Sequence, residues 1–374
     1  MDIGFPKEIL FQPIEERIEH FENRTMAHPK LFESYEDLME KVDTISGKGK
    51  VLLVYGPSGV GKSTLFKKVK NDYLRRYHDE MKNDKGLIPV LAVEAFANED
   101  GKFDWINFYS DALEELKDIL IDEKRLTLNE LGVDVPNNPN EKKKRKLRKA
   151  LENAIKRRKV KVILIDEAQH MTKVGSSKGL RNHMDAIKSL ASIFGVPIIL
   201  FGTYELFSFR NINGQLGRRT TEVHFSRYNS QKQDEIKAFK YVLWYFQKAY
   251  PLHEEPDLLS EWKYFYKHTI GCVGTLKDWL DATYKSKMRQ NEEVKTLVLS
   301  DFKKFEPTID QAYTMALEIT SGENALTEKR EEKENTLDSW LKLDEVEEKE
   351  ENKRTGNSRP GERKPKRDKT GTDL

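Results

Sequence analysis

Gly56-Pro57-Ser58-Gly59-Val60-Gly61-Lys62-Ser63 is the stretch that decides the fold, and it directly follows the apolar run 51–55. It fits the pattern GxxxxGK[ST], in which glycines let backbone N–H groups curl around a phosphate at the start of a helix. In this pattern the lysine reaches the β- and γ-phosphates, and the hydroxyl ligates Mg²⁺. We therefore predict that residues 56–63 bind ATP through Lys62 and Mg²⁺ through Ser63, with Thr64 beside the α-phosphate.

Apolar runs alternate with helical patterns between residues 46 and 226. Strands are predicted at 51–55, 87–93, 160–165, 196–201 and 222–225. Helices are predicted at 62–78, 105–121, 141–158 and 179–194. This alternation predicts an α/β fold, with a mostly parallel sheet flanked by helices on both faces. Pro89 interrupts the second run, which favours an edge position because proline cannot donate a hydrogen bond to a sheet.

The flanking segments show helical patterns without strands. We predict an N-terminal helical segment over 1–45, the α/β ATPase domain over 46–226 and a helical lid domain over 227–321. The highly charged composition of 322–374 predicts a disordered tail. This tail is either a solubilising segment or a docking peptide with Trp340 as its aromatic anchor.

Composition limits the class of protein. The chain has 374 residues with 65 Lys and Arg against 63 Asp and Glu, and its 37% hydrophobic residues are enough to build a core. No apolar run reaches the roughly 20 residues that span a bilayer, and no signal-peptide pattern is visible at the start. The single cysteine, Cys272, excludes internal disulfides and a Cys-pair zinc site. We therefore expect a cytoplasmic protein without membrane contact.

An acidic pair, Asp166-Glu167, follows the apolar run Val162-Ile163-Leu164-Ile165. A strand that ends in Asp-Glu is typical of the second half of a nucleotide-hydrolysing site, the Walker B motif. Here Asp166 would hold Mg²⁺ through a water molecule, and Glu167 would polarise the attacking water. The alternative is an ordinary helix cap with a glutamate in its first turn.

Four more residues are candidates for the same site. Thr203 follows the fourth strand and would contact the water or the γ-phosphate, or else cap the next helix. Arg218 and Arg219 precede the fifth strand, and one of them, with Arg218 favoured, would enter a neighbouring subunit's site as an arginine finger. Lys277 lies at the start of a lid helix and would approach the phosphates. Each of these three basic residues is otherwise a solvated surface residue.

Together these residues resemble the AAA+ ATPases: the phosphate loop 56–63, Asp166-Glu167, Thr203, Arg218-Arg219 and the GTLK segment 274–277. The stretches 163–171 (ILIDEAQHM) and 194–203 (FGVPIILFGT) are similar, more narrowly, to DNA transposition regulators of the TniB/TnsC type. The resemblance covers about residues 25–285. Lys277 departs from the wider superfamily, in which many members have arginine at this place.

The resemblance implies an ATPase that oligomerises head to tail on double-stranded DNA, as a ring or a helical filament. The assembly would mark a target site, recruit the transposase and receive a target-selection protein, and hydrolysis would disassemble it. Such a protein hydrolyses ATP but does not cut or join DNA itself.

Two regions are candidates for contact with the DNA backbone. Residues 141–161 contain twelve Lys and Arg against two acids and include Lys142, Lys143 and Lys144. Such a segment can neutralise phosphates, although it is also typical of a solvated helix face. The loop after the second strand offers Lys102, beside Phe103, which we expect in the core. A net charge of only +2 therefore does not exclude nucleic acid.

Three other functions share parts of this pattern. An origin-recognition or clamp-loader-like ATPase would use the same ATP site on DNA without a transposase. An ATP-gated signalling or scaffold NTPase would need a separate effector chain. A helicase is suggested by Asp166-Glu167-Ala168-Gln169-His170, but the sequence shows no second ATPase domain to form the interdomain cleft.

Overall fold

A computed structural model describes residues 4–44, 50–98, 101–118, 139–173, 177–210, 220–291 and 294–341 of the chain. The chain divides into a first unit, residues 1–319, and a second unit that begins at Thr320. Within the described residues, no helix combines the length and the apolar character that a membrane-spanning segment needs.

The first unit contains every described strand and all the described helices except residues 320–341 of the last one. The strands are β1 Val51–Tyr55, β2 Val90–Glu94, β3 Val162–Asp166, β4 Ile198–Gly202 and β5 Thr220–His224. The helices up to β4 are α1 Ile14–Glu22, α2 Pro29–Thr44, α3 Lys62–Arg76, α4 His78–Asn83, α5 Trp105–Glu115, α6 Pro139–Arg158 and α7 Ser177–Phe194. The later helices are α8 Phe207–Arg210, α9 Gln233–Ala249, α10 Trp262–Thr269, α11 Val273–Gln290, α12 Leu299–Lys303 and α13 Ile309–Leu341.

The sheet is parallel throughout, in the order β2-β3-β4-β1-β5. Strands β1 and β4 are buried along their whole length, because helices cover both faces and every side chain meets apolar neighbours. Strand β4 lies between β1 and β3, so the phosphate loop and Asp166-Glu167 flank its end. Strand β2 is at an edge and begins directly after Pro89, as the proline predicts.

The two helices of the N-terminal segment, which we predicted over 1–45, pack in two different hydrophobic cores. Ile18 and Phe21 of α1 pack in the helical core built by α9, α10 and α11. Leu38 and Val42 of α2 pack instead in the α/β core under the sheet. The segment thus spans both parts of the first unit.

Residues between these two cores form a buried joint. The imidazole of His28 is 3% exposed, and its Nδ1 lies 3.1 Å from the Tyr228 hydroxyl and accepts from the Leu31 N–H at 3.4 Å. Its ring stacks on Phe225, with the ring centroids 6.1 Å apart. Burial lowers the pKa of His28 from 6.5 to about 4, so this histidine is neutral at pH 7.

The buried His28 predicts that the stability of the protein depends on pH. Because the folded pKa of His28 lies below its unfolded value, its contribution is present above about pH 6.5 and is lost as the pH falls towards 4. Between pH 8 and pH 5 the free energy of unfolding should fall by about 2 kcal/mol more in the wild type than in His28→Asn. Urea unfolding of both proteins at the two pH values measures this difference. Equal losses in both would contradict the assignment.

Helix α13 extends beyond the predicted start of the tail. Thr308 and Gln311 cap its beginning reciprocally, through Thr308 N–H to Gln311 Oε1 at 2.8 Å and Gln311 N–H to Thr308 Oγ1 at 3.2 Å. The helix then continues to Leu341, so the boundary predicted at 322 falls inside it. Its Glu, Lys, Ala and Leu residues are strong helix formers. The many charged residues of this segment are nevertheless also typical of a disordered chain. Trp340 is exposed at its end, and 342–374 lie outside the described residues.

Candidate functional site

The loop between β1 and α3 has the backbone of a phosphate cradle. Gly59 and Gly61 have φ angles of +71° and +115°, which side chains disfavour. A Cβ on Gly56 would lie 2.1 Å from the Phe225 carbonyl oxygen, so only glycine fits where the loop leaves the sheet. Because α3 begins at Lys62, its unpaired N–H groups and its dipole face the loop.

Lys62 lies inside this cradle. Its side chain is buried, and its ammonium donates to the carbonyl oxygens of Gly56 at 3.0 Å and Pro57 at 2.8 Å. Burial lowers the pKa of Lys62, while the nearby charges of Glu167 and Asp166 act in the opposite direction. A phosphate entering the loop would offer the ammonium charged oxygens, which are stronger acceptors than these carbonyl groups.

Asp166 and Ser63 meet beside the loop. Asp166 ends β3, and its carboxylate accepts hydrogen bonds from the Ser63 hydroxyl and from the Glu167 N–H at 3.0 Å. Burial raises the pKa of Asp166, and these hydrogen bonds partly oppose that effect. A hydroxyl and a carboxylate are oxygen donors of the kind that Mg²⁺ prefers, and their meeting here fits the predicted metal position.

Glu167 stands next to this pair in a backbone conformation unusual for glutamate, with φ +50°. A third carboxylate, Glu94, ends the edge strand β2 directly beside Asp166. Burial raises the pKa of Glu94, and the charges of Asp166 and Glu167 raise it further. Our sequence reasoning missed Glu94, although it ends its strand in the same way as Asp166 does.

Thr203 directly follows the carboxyl end of β4, as predicted. Its hydroxyl accepts from the Glu205 N–H at 3.4 Å and caps the 3-10 turn Tyr204–Leu206. In this structure the side chain therefore serves as the helix cap that the sequence left open as the alternative.

The start of α11 packs directly on the phosphate loop. Thr275 N–H donates to the Gly59 carbonyl oxygen at 2.9 Å, and a Cβ on Gly274 would lie 2.6 Å from that oxygen. A cleft of about 730 Å³ opens next to Ser58 and is lined on the α11 side by Thr275 and Asp278. Contact between the lid and the loop therefore comes from residues 274 and 275 of the GTLK segment.

Lys277 points away from the loop, contrary to the predicted approach to the phosphates. Its ammonium donates to Asp281 at 2.5 and 2.6 Å and to the carbonyl oxygens of Phe21 at 3.0 Å and Glu22 at 3.2 Å. It also lies 4.7 Å from the centre of the Phe21 ring. The physical reason is the packing of α1 against α11, which offers this buried cation an anion and two acceptors. Lys277 thus ties the N-terminal segment to the lid.

The close contact at Gly59 predicts a cost for any side chain there. A Cβ would lie 1.9 Å from Thr275 Oγ1 and would also strain the positive φ. We expect Gly59→Ala to lower the free energy of unfolding by about 3 kcal/mol. Gly195→Ala is the matched control, because Gly195 has a φ of +70° and open space around its missing Cβ. That variant should lose only about 1 kcal/mol in the same urea titration; equal losses would contradict the lid contact.

The predicted DNA-contacting residues belong to the loop after β2 and to helix α6. Lys102 is exposed, and the adjacent Phe103 forms an antiparallel bridge with Ala97 and is buried as expected. Lys142 is exposed near the start of α6, while Lys143 and Lys144 are partly buried.

The C-terminal half of α6 carries structural contacts. Arg157 pairs with Asp118 at 2.8 Å, and Arg158 donates to the carbonyl oxygens of Leu116 and Lys117 at 3.0 and 2.9 Å. Lys156 pairs with Glu152 at 2.7 Å. This part of the basic segment therefore helps to join α6 to its neighbours. Arg218 and Arg219 lie outside the described residues.

Residues 45–209 match the family model described as the AAA domain. No curated protein gave a significant match to the chain. The fold is similar to the ORC2 protein of Aeropyrum pernix, with 13% identity, a TM-score of 0.45, and coverage of 78% of this chain and 71% of that chain.

Two further structures are similar at the same level. A Walker-type ATPase of Pyrococcus abyssi shows 16% identity and a TM-score of 0.42, with coverage of 85% of this chain and 81% of that chain. Domain III of the replication initiation protein DnaA of Thermotoga maritima shows 14% identity and a TM-score of 0.38, with coverage of 79% and 94%. Residues 45–209 thus match the AAA domain model, and the strand order, with the phosphate loop directly after β1, is that of the AAA+ P-loop fold.

Proposed function

We propose that this chain is an AAA+ ATPase that binds ATP with Mg²⁺ and hydrolyses it at the site described above. The observation that carries this proposal is the convergence of the phosphate loop, the Ser63–Asp166 hydrogen bond and Glu167 at one edge of the sheet. Lys62 and the loop N–H groups would bind the phosphates, Ser63 and Asp166 would hold Mg²⁺, and Glu167 would accept a proton from the attacking water. The metal would neutralise charge on the phosphate oxygens.

We further propose that ATP drives assembly of this ATPase on double-stranded DNA, where it marks target sites for a transposase. This finer part rests on the resemblance of 163–171 and 194–203 to transposition regulators. Lys102 and the exposed N-terminal half of α6 would contact the DNA backbone without reading bases. Arg218 or Arg219 of one subunit would complete the ATP site of the next, and hydrolysis would release the assembly.

A reconstituted strand-transfer assay tests the transposition role. The protein is mixed with a candidate transposase, donor DNA, target DNA and ATP, and insertions are counted at two salt concentrations. We expect insertions to require this protein and ATP, and to fall steeply with salt because backbone contacts release counterions. Insertions that are equally frequent without the protein would contradict the transposition role. ATP-dependent DNA binding with no effect on the transposase would favour the origin-recognition or clamp-loader-like alternative.

A further inference from the structure

The side-chain amide of Gln169 connects two parts of the site. Gln169 is buried in the 3-10 turn Ala168–Thr172, directly after Glu167. Its Nε2 donates to Glu167 Oε2 at 2.5 Å, and its Oε1 accepts from the Thr203 N–H at 3.3 Å. Because one end must donate and the other must accept, the two partners fix the orientation of the amide.

The end of β4 leaves room for this amide. A Cβ on Gly202 would lie 2.6 Å from Gln169 Oε1 and 3.0 Å from a methyl group of Leu206. The Gly202 carbonyl oxygen in turn accepts from the Gly56 N–H, the first N–H of the phosphate loop, at 3.3 Å. A continuous path therefore runs from Gly56 through residues 202 and 203 and Gln169 to the Glu167 carboxylate.

Without the hydrogen bond from Gln169, nearby negative charges would repel the Glu167 carboxylate from this position. Asp166 and Glu94 are negatively charged neighbours on β3 and β2, with His170 on the same turn. Lys62 is the nearby cation, but its ammonium is bonded to the loop. Holding Oε2 with a neutral donor keeps the carboxylate in place without adding charge and leaves Oε1 for a water molecule.

We propose that Gln169 is a positioning residue that holds Glu167 for its task and links it to the phosphate loop through the end of β4. This inference rests on the proposed role of Glu167 in ATP hydrolysis. In this role Gln169 would act through Glu167 and not directly on ATP.

Gln169→Leu is the first test, because leucine fills a similar volume without either hydrogen bond. We expect kcat for ATP hydrolysis to fall about 10- to 100-fold, since a displaced catalytic group loses rate steeply. The affinity for a fluorescent ATP analogue should change less than about twofold, because Gln169 does not contact the loop directly. Hydrogen exchange at the end of β4 should become faster, since the Thr203 N–H loses its acceptor. This readout does not depend on turnover.

Gln169→Glu provides a test that a purely structural role would not pass. The introduced carboxyl can still accept from Thr203, but when ionised it repels Glu167. A carboxylate cannot donate to Glu167, so kcat should fall at least as far as in Gln169→Leu. Because the Thr203 N–H keeps an acceptor, hydrogen exchange at the end of β4 should stay close to that of the wild type. A kcat close to the wild-type value would overturn the proposal.

Gly202→Ala perturbs the Gln169 side-chain amide from the end of β4. Its Cβ would displace Gln169 without altering either hydrogen-bonding group, and we expect kcat to fall while the affinity for the analogue is kept. Glu205→Gln, an exposed change on the neighbouring turn, is the control and should leave kcat unchanged. If the wild type hydrolyses ATP and Glu167→Gln does not, but the variants at 169 and 202 turn over normally, this inference fails alone. If the wild type has no ATPase activity, the proposed function fails with it.

Discussion

Glu167→Gln should slow ATP hydrolysis by about 100- to 10,000-fold, because glutamine keeps the shape of the side chain but cannot accept a proton from water. ATP binding should persist, since Lys62 and the loop glycines are unchanged. The neighbourhood of Glu167 supports this expectation, because its backbone N–H donates to Asp166 and its carboxylate accepts from Gln169. Phosphate release under saturating ATP measures the rate, and a fluorescent ATP analogue measures the affinity.

The control for this variant is Glu205→Gln, the same chemical change at an exposed carboxylate outside the site. It should hydrolyse ATP at the wild-type rate. An unchanged rate in Glu167→Gln would remove Glu167 from its proposed role and would leave the hydrolytic group to be sought among Asp166 and Glu94.

Lys62→Ala should lower the affinity for ATP by about 100-fold or more. The ammonium lies inside the loop on the carbonyl oxygens of Gly56 and Pro57, and charge-assisted bonds to phosphate are each worth about 1.5–3 kcal/mol. The wild type should also be stabilised by ATP, by about 2.7 kcal/mol at a concentration of 100 times Kd, and the variant should not. Titration with the fluorescent analogue and thermal unfolding with and without ATP measure both effects.

Lys67→Ala is the matched control, because Lys67 is an exposed lysine on the same helix α3. It should bind ATP as the wild type does. Equal affinities in the wild type, Lys62→Ala and Lys67→Ala would place the nucleotide site elsewhere.

The sheet and the loop could be predicted because burial leaves a direct mark on the sequence. Strands β1 and β4 are covered on both faces, so they appear as uninterrupted apolar runs, and Pro89 indicates the edge. The phosphate loop was predictable because its backbone has positive φ angles that favour glycine. These features depend on neighbours within a few residues, which a single sequence shows.

Contacts between distant segments could not be predicted in the same way. Lys277 bonds to carbonyl groups of α1 more than 250 positions away, and no local pattern near Lys277 indicates this. The role of Gln169 depends on Gly202 and Thr203, which approach it only because β3 and β4 are neighbours in the sheet. The length of α13 was missed because a charged helix and a charged disordered segment have similar compositions.

We propose that ATP drives this protein to assemble on double-stranded DNA, and electron microscopy tests this proposal most directly. Glu167→Gln is imaged with ATP and duplex DNA, beside the same variant with ADP and beside Lys62→Ala with ATP. We predict rings or filaments on the DNA only in the first sample, and for the wild type we predict assemblies that disappear as ATP is consumed. Particles that remain monomeric with both ATP and DNA would contradict the account.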